Sequence, residues 1–374
     1  MVYFDNAATG GNKPDAVLTA VTAAVKICAN PGRSGHKLSL ACAENVQRCR
    51  KELNHFFGGD DYERVIFTKN CTEALNIAIF GTLKKGDHVV CSCMEHNSVL
   101  RPLEFLKKSG VITYDVCPLD KSGNIPPTRF ASLVKENTKL AIVTTASNVT
   151  GAIPDLSAIR RALPNRVLLL CDGAQGAGHF PIKLAETGID FLTIAGHKGM
   201  LGIQGSGALL FSERVEIKPL LYGGTGSMSL SLDMPDFYPD ALEAGTLAYP
   251  AVLSLLEGVR YLTVHEKEVQ AHCLALTKYC VDKLTPLTEY ELFSIPNPCG
   301  IVAFRHKEKQ SERIADILSS RYGIAVRGGL HCAPLMHEHL GTLDNGLVRL
   351  SFSHYNTEKE IDFLLFALQE LQEI

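Results

Sequence analysis

Between Val65 and Phe211, short apolar, β-rich runs alternate with amphipathic stretches, and this alternation restricts the fold more than any other feature. Strands are expected over 65–68, 88–92, 112–116, 140–145, 167–171, 191–195 and 208–211. Helical periodicity falls between several of them, over 72–83, 98–108 and 155–163. Strands that are apolar on both faces and separated by helices belong in a mainly parallel sheet covered on both sides. The expected fold class is therefore α/β, with a large domain built on a mostly parallel seven-stranded sheet. After Pro250 the pattern changes. A long helical stretch, with breaks, is expected over 251–284, then strand-like 300–305, helical 311–322, strand-like 324–327 and 347–353, and a terminal helix from Glu358. Few strands with helices to one side predict a smaller α+β domain. The expected division is 15–250 for the large domain, and 1–14 with 251–374 for the small one.

A formal net charge of -3 supplies no basic field for nucleic acid or anionic lipid. No apolar run reaches the ~20 residues of a membrane span. The segment from Met1 to Asn6 lacks a charged start followed by an apolar core. A cytoplasmic location is expected, with no nucleic-acid or membrane partner. The twelve cysteines are scattered and form no C-x-x-C pair, so they read as reduced, mostly buried thiols. A rival of another class treats Cys91, Cys93 and His96 as part of a metal-binding or redox-sensing site. Zinc wants four ligands and no second half is evident nearby. Cys91 and Cys93 are also expected on one face of a strand, a common core arrangement.

Three stations carry the chemistry. The run from Phe191 to Ala195 ends in Gly196, His197 and Lys198. A lysine just past a strand can project into the crevice where ligands of α/β folds bind. Desolvation there makes its amine nucleophilic. The run from Val167 to Cys171 ends in Asp172, an acid at the end of a buried strand that needs a cationic partner. A protonated pyridine nitrogen is such a partner, and pyridoxal-phosphate (PLP) sites use an acid there. Gln175 can then donate to the ring oxygen. Upstream, a strand ending near Thr68 runs into a helix with Asn70 as N-cap and Glu73 three residues on. The free N–H groups of that turn and the Thr72 hydroxyl make an anion site suited to a phosphate. Singly, these are a surface lysine, a helix-capping acid and an ordinary capped helix. Their order along one chain is far more specific than any of them.

The sequence resembles the fold-type I PLP enzymes of the class V aminotransferase group, and within it the cysteine desulfurase/selenocysteine lyase family. The resemblance runs from Phe4-Asp5-Asn6-Ala7-Ala8-Thr9 through Glu95-His96-Asn97-Ser98, Ser147-Asn148-Val149-Thr150-Gly151 and Glu243-Ala244-Gly245-Thr246. It ends with Arg327-Gly328-Gly329-Leu330-His331-Cys332-Ala333-Pro334 and Val348-Arg349-Leu350-Ser351.

The resemblance implies a PLP-bound transferase in which Lys198 is the Schiff-base lysine, Asp172 pairs with the ring nitrogen and Gln175 with the ring oxygen. It makes His96 the catalytic histidine stacked on the ring, and Thr72 and His197 phosphate ligands. Cys71 stands beside the phosphate where many relatives have threonine, and Ala195 where many have serine. Thr246 matches a residue that reaches the phosphate of the neighbouring subunit, which implies a homodimer. Asn148 and Arg349 match the pair holding the substrate carboxylate, with Ala7 near the substrate. Arginine suits that role because its planar fork binds a carboxylate bidentately. Cys332 matches the cysteine that takes sulfur from L-cysteine as a persulfide, releasing L-alanine, and passes it to an acceptor protein. Without the resemblance, Cys332 reads as an idle loop thiol, His96 as a helix-start residue and Arg349 as half of an ion pair. The alternatives that keep the fold are a lyase acting on L-selenocysteine, another class V aminotransferase or lyase, and a PLP-fold scaffold that works only with a partner.

Overall fold

The computed structural model describes residues 1–27 and 29–371. Among them a short strand β1 (Val2–Tyr3) precedes seven strands of one sheet. These are β2 (Val65–Thr68), β3 (Asp87–Ser92), β4 (Ile112–Cys117), β5 (Thr138–Thr144), β6 (Leu168–Asp172), β7 (Phe191–Ala195) and β8 (Gly207–Phe211). Their spatial order is β2-β8-β7-β6-β5-β3-β4. The contacts β4–β3, β3–β5, β5–β6 and β6–β7 are parallel, and only β8 runs against its neighbours β7 and β2. The sheet is thus seven-stranded and mostly parallel, as the alternation of apolar runs and helices predicts.

Both faces are covered because successive side chains alternate between two cores. On β6, Leu168 and Leu170 join one apolar cluster, while Leu169 and Cys171 join the other. Cys91 and Cys93 correct an expectation here. The strand ends at Ser92, and Cys93 follows in a turn. Cys91 therefore packs in one cluster and Cys93 in the other, not together on one face.

A second sheet has the order β12-β13-β10-β9, built from β9 (Tyr290–Leu292), β10 (Ile301–His306), β12 (Arg327–Gly329) and β13 (Leu347–Ser351). The strand expected over 324–327 divides. Ile324–Ala325 (β11) pairs with β1, while Arg327 begins β12, which pairs with β13. Arg327 is therefore aligned with Arg349 across that ladder.

The helix Tyr249–Leu284 is a single helix of 36 residues, without the expected breaks. At about 1.5 Å per residue it extends roughly 54 Å. It stays continuous because each end finds an apolar surface. Val252, Val259, Leu262, Val269 and Cys273 pack in a core of the large sheet, and Leu276, Cys280 and Leu284 in the core of the second sheet. Its one internal glycine has a packing reason: a Cβ on Gly258 would overlap the carbonyl of Met200, just past Lys198. The helix thereby braces the loop carrying the lysine.

Candidate active site

Because six strands of the large sheet run one way, their C-terminal ends share one edge, where α/β folds form ligand crevices. Thr68 leads to α3 (Cys71–Thr82), Ser92 to His96 at the start of α4 (Asn97–Lys108), Thr144 to Asn148, Asp172 to Gln175, and Ala195 to Lys198. A cavity of about 510 Å³ lies there, lined by Cys71, Thr72, His96, Asn148, Asp172, Gln175, His197 and Lys198. Eight of the expected site residues, scattered over 128 positions of sequence, meet in it.

Lys198 lines the cavity, and no described residue hydrogen-bonds its amine. The surrounding protein disfavours charge there and lowers its pKa from the usual lysine value, against the pull of Cys71 and Asp172. Asp172 is 3% exposed at the end of β6, in register with Thr144 and Thr193 on the flanking strands. Its Oδ1 accepts the Ala174 N–H at 2.9 Å and contacts the Cys71 thiol at 3.3 Å. No described residue hydrogen-bonds Oδ2, so one carboxylate oxygen is left for a cationic partner.

The capped turn forms as the sequence indicates, with one difference. The Asn70 side chain accepts the Glu73 N–H at 2.9 Å, but Glu73 reaches back to the N–H of Lys69 rather than to that of Asn70. Thr72, exposed to the cavity, presents its hydroxyl beside the helix N-terminus. His96 is at once helix cap and cavity wall. Its Nδ1 accepts the Ser98 N–H at 3.0 Å, which leaves Nε2 to carry the proton of the neutral ring. Burial lowers its pKa. His197 Nδ1 lies 3.0 Å from the Thr9 hydroxyl, and burial with the charges of Lys198 and Lys13 lowers its pKa to about 4. Gln175 Nε2 donates to the carbonyl of Ala7 at 3.1 Å.

Four expected residues lie outside this cavity, among them Ala7, whose carbonyl accepts the Gln175 amide. Cys332 is exposed and lines an adjoining cavity with Thr72, His96 and Ser98, which border both spaces. His331 and Cys332 adopt φ of 49° and 58°, the left-handed region that costs energy for residues with a Cβ. The turn is held in place at several points. The Cys332 carbonyl accepts the Asn97 N–H at 2.8 Å, the His331 carbonyl accepts Asn148 Nδ2 at 2.7 Å, and His331 Nε2 meets the Leu347 carbonyl at 3.0 Å. Arg349, on β13, is 1% exposed; it donates to the Asn148 carbonyl at 3.0 Å and to Asp5 Oδ1 at 2.9 Å. Thr246 is exposed and lines a separate cavity with Lys69 and Glu73, on the other side of the capped turn.

Some residues escaped the sequence reading. The Ser98 hydroxyl sits 2.8 Å from Thr72 Oγ1 and 2.9 Å from His96 Nδ1, joining two expected residues. A serine two residues after a helix-start histidine was the available signal. Arg327 Nη2 approaches Cys332 Sγ at 3.7 Å. Five residues apart in a glycine-rich run, the two gave no sign of contact. Among the described residues, no group of three or more His, Cys, Asp or Glu side chains could hold a metal ion.

Glu95, beside His96, is fully buried and its pKa is pushed up to about 8, chiefly by burial, with the charge of Asp172 adding and the Ser92 hydroxyl opposing. Its Oε1 accepts from Ser92 and from the Thr144 N–H, while Oε2 has no partner. A folded pKa above the unfolded value of 4.5 means the unfolded chain ionises first as pH rises, so stability declines between 4.5 and about 8. Glu95→Gln, which does not ionise, is expected to escape that decline. Unfolding temperatures across this window should increasingly favour the variant, and parallel curves would refute the assignment.

Comparison with known proteins agrees with this geometry. The family described as Aminotransferase class-V matches residues 2–364. The chain is 34% identical to a probable cysteine desulfurase of Methanothermobacter thermautotrophicus, over 99% of this chain and 94% of that protein. It superposes on the apo structure of a cysteine desulfurase from Thermococcus onnurineus with a TM-score of 0.90 at 29% identity, covering 99% and 94% of the two chains. A cysteine desulfurase from Escherichia coli, solved as the S-sulfonic acid, superposes at 0.89 with 25% identity, covering 99% and 94%.

Proposed function

The chain belongs to the class-V aminotransferase family, and from that premise we propose that it is a PLP-dependent cysteine desulfurase, converting L-cysteine to L-alanine and passing the sulfur on. The observation that carries the reading is the cavity where Lys198, Asp172, His96 and the capped turn of α3 converge, with Cys332 at its border. The full-length similarity to cysteine desulfurases supports the substrate.

The cavity fits the cofactor. It offers an amine without a hydrogen-bond partner, a carboxylate with one free oxygen, and a helix N-terminus with a hydroxyl beside it. Lys198 would hold the cofactor covalently, Asp172 would pair with its ring nitrogen, Gln175 would attend the ring oxygen and His96 the ring itself. Thr72 and His197 would bind its phosphate, next to Cys71. When bound, PLP supplies an electron sink for a carbanion at Cα. Lys198, its pKa lowered by burial, moves the Cα proton. Arg349 and Asn148 hold the substrate carboxylate next to Ala7. Cys332 attacks the substrate sulfur as thiolate. A Cys332–S bond forms, the Cβ–S bond breaks with its electron pair left on the carbon skeleton, and protonation there completes alanine. Cysteine plus thiol thus yield alanine plus persulfide, with atoms balanced. Arg327 N–H is a donor suited to negatively charged sulfur.

The proposal extends to a homodimer in which Thr246 reaches the neighbouring site, to an acceptor protein for the sulfur, and to a cytoplasmic location. No helix among the described residues is long and apolar enough to cross a membrane. It also keeps the division at 15–250 against 1–14 with 251–374, the helix Tyr249–Leu284 contributing to both cores. The test is to add L-cysteine with excess dithiothreitol, a dithiol that reduces the persulfide and releases its outer sulfur as sulfide, to the PLP-loaded protein and assay alanine and sulfide. Both products in equal amounts are expected, and a keto acid instead would point to an aminotransferase.

A further inference from the structure

Asp5 has no part in the reaction as laid out above, yet among the described residues its side chain is the one that hydrogen-bonds Arg349. Its Oδ1 accepts from Arg349 Nη2 at 2.9 Å, and Arg349 Nη1 donates to the Asn148 carbonyl at 3.0 Å. A guanidinium carries five N–H groups. These two contacts use one hydrogen on each terminal nitrogen. The Nε–H is buried and has no partner. Nε–H and one hydrogen on each terminal nitrogen are therefore unused in an arginine that is 1% exposed. Nε–H together with a neighbouring terminal N–H matches the two oxygens of a carboxylate. Asn148 Oδ1 is likewise buried and unpartnered, but as an acceptor it cannot pair with a carboxylate. An orphaned donor at the depth of the Arg349 Nε–H marks a place for a polar ligand.

The segment carrying Asp5 is pinned from both sides. The Ala7 N–H donates to Ser351 Oγ at 2.9 Å, and the Ser351 N–H to the Phe4 carbonyl at 2.7 Å, on the strand that bears Arg349. The Gly10 N–H and Lys13 Nζ both donate to the His197 carbonyl, next to Lys198. Asp5 is thus a fixed acceptor, placed with respect to the arginine and the lysine at once. Arg349 also lies within electrostatic range of Arg327, whose positive charge makes room for a second carboxylate beside Asp5.

We infer that Asp5 is a positioning residue that sets substrate class: by holding one corner of the Arg349 fork, it turns the free Nε edge toward the α-carboxylate of an amino acid. The inference rests on the functional reading for the identity of that amino acid, but not for the carboxylate preference itself.

The test compares equilibrium binding of L-alanine and of ethylamine, the same skeleton without its carboxylate, by calorimetry on the PLP-loaded protein. Neither probe has a sulfur to transfer. In Asp5→Ala the preference for L-alanine over ethylamine is expected to fall about tenfold, the loss of one charge-assisted contact. Asp5→Asn keeps an acceptor oxygen in the same place and is expected to recover most of the preference. Ethylamine binding should be alike in all three proteins, which a general structural disturbance would not leave intact. An Asp5→Ala protein whose preference is unchanged overturns the inference. One whose preference increases does so as well, because Asp5 would then be a competitor for the arginine. If wild-type protein yields no alanine or sulfide from L-cysteine while Asp5→Ala still loses the preference, the functional reading falls and the role of Asp5 stands.

Discussion

Lys198→Ala is expected to release the cofactor's visible absorbance on gel filtration and to lower alanine formation from L-cysteine by about 10²–10⁴-fold, the range for losing a general base. The argument is that one amine does two things. It anchors the cofactor, and it moves the Cα proton. The fold should not suffer, because no described residue hydrogen-bonds that amine and its lowered pKa shows that the folded protein disfavours its charge. Removing it relieves that cost, so the cofactor-free variant should unfold at the wild-type temperature or above it. Retention of both colour and activity would sink the assignment of Lys198 and the mechanism built on it.

Cys332→Ser is expected to do the opposite to the two readouts. Colour should be retained, since Cys332 lies outside the cavity that takes the cofactor. Production of alanine and sulfide from L-cysteine should fall about 10²-fold or more, because a hydroxyl lacks the nucleophilicity of a thiolate. Serine is close to cysteine in size and inherits the same left-handed turn, held by Asn97, Asn148 and Leu347. A loss can then be ascribed to the sulfur rather than to the loop. Mass spectrometry after L-cysteine should find an added sulfur on wild-type protein and none on the variant. Full desulfuration by Cys332→Ser would refute the persulfide role.

The two variants probe residues that the sequence singled out for different reasons. Lys198 and Asp172 were legible because each follows an apolar run and they stand in order after the capped turn, a joint pattern more specific than a lone lysine or acid past a strand. Strands β2, β6, β7 and β8 were legible because both their faces are buried, so their residues read as continuous apolar runs, whereas β4 exposes Thr113 and half-buries Tyr114 and Asp115. Arg349 and Cys332 carry no such local mark. A strand arginine and a loop cysteine look the same whether structural or functional, and only resemblance to a family picked them out.

The helix Tyr249–Leu284 shows where local pattern fails. Its apolar face serves one core along its first part and another along its last, so the periodicity seemed broken where the partner changes. Cys91 and Cys93 part company for a related reason: alternation places side chains only while the strand continues, and β3 stops at Ser92. The split at Val326 was hidden because the dipeptide Ile324–Ala325 pairs with β1 at the other end of the chain, while Arg327–Gly329 pairs with β13.

By itself the sequence determined the strands and helices of the large sheet, the edge at which most of their ends gather, and hence where Lys198 and Asp172 of the proposed site would stand. Tertiary structure decided everything that depends on contacts between segments far apart in the chain. It brought Asp5 to Arg349 across 344 residues, placed Arg327 against Cys332, and set Ser98 between Thr72 and His96. The reason is physical. Burial and periodicity act through neighbours along the chain and leave a pattern in the residues themselves. A hydrogen bond or ion pair between distant segments is fixed by where the packed core delivers its two partners, and neither partner's own surroundings in sequence record it.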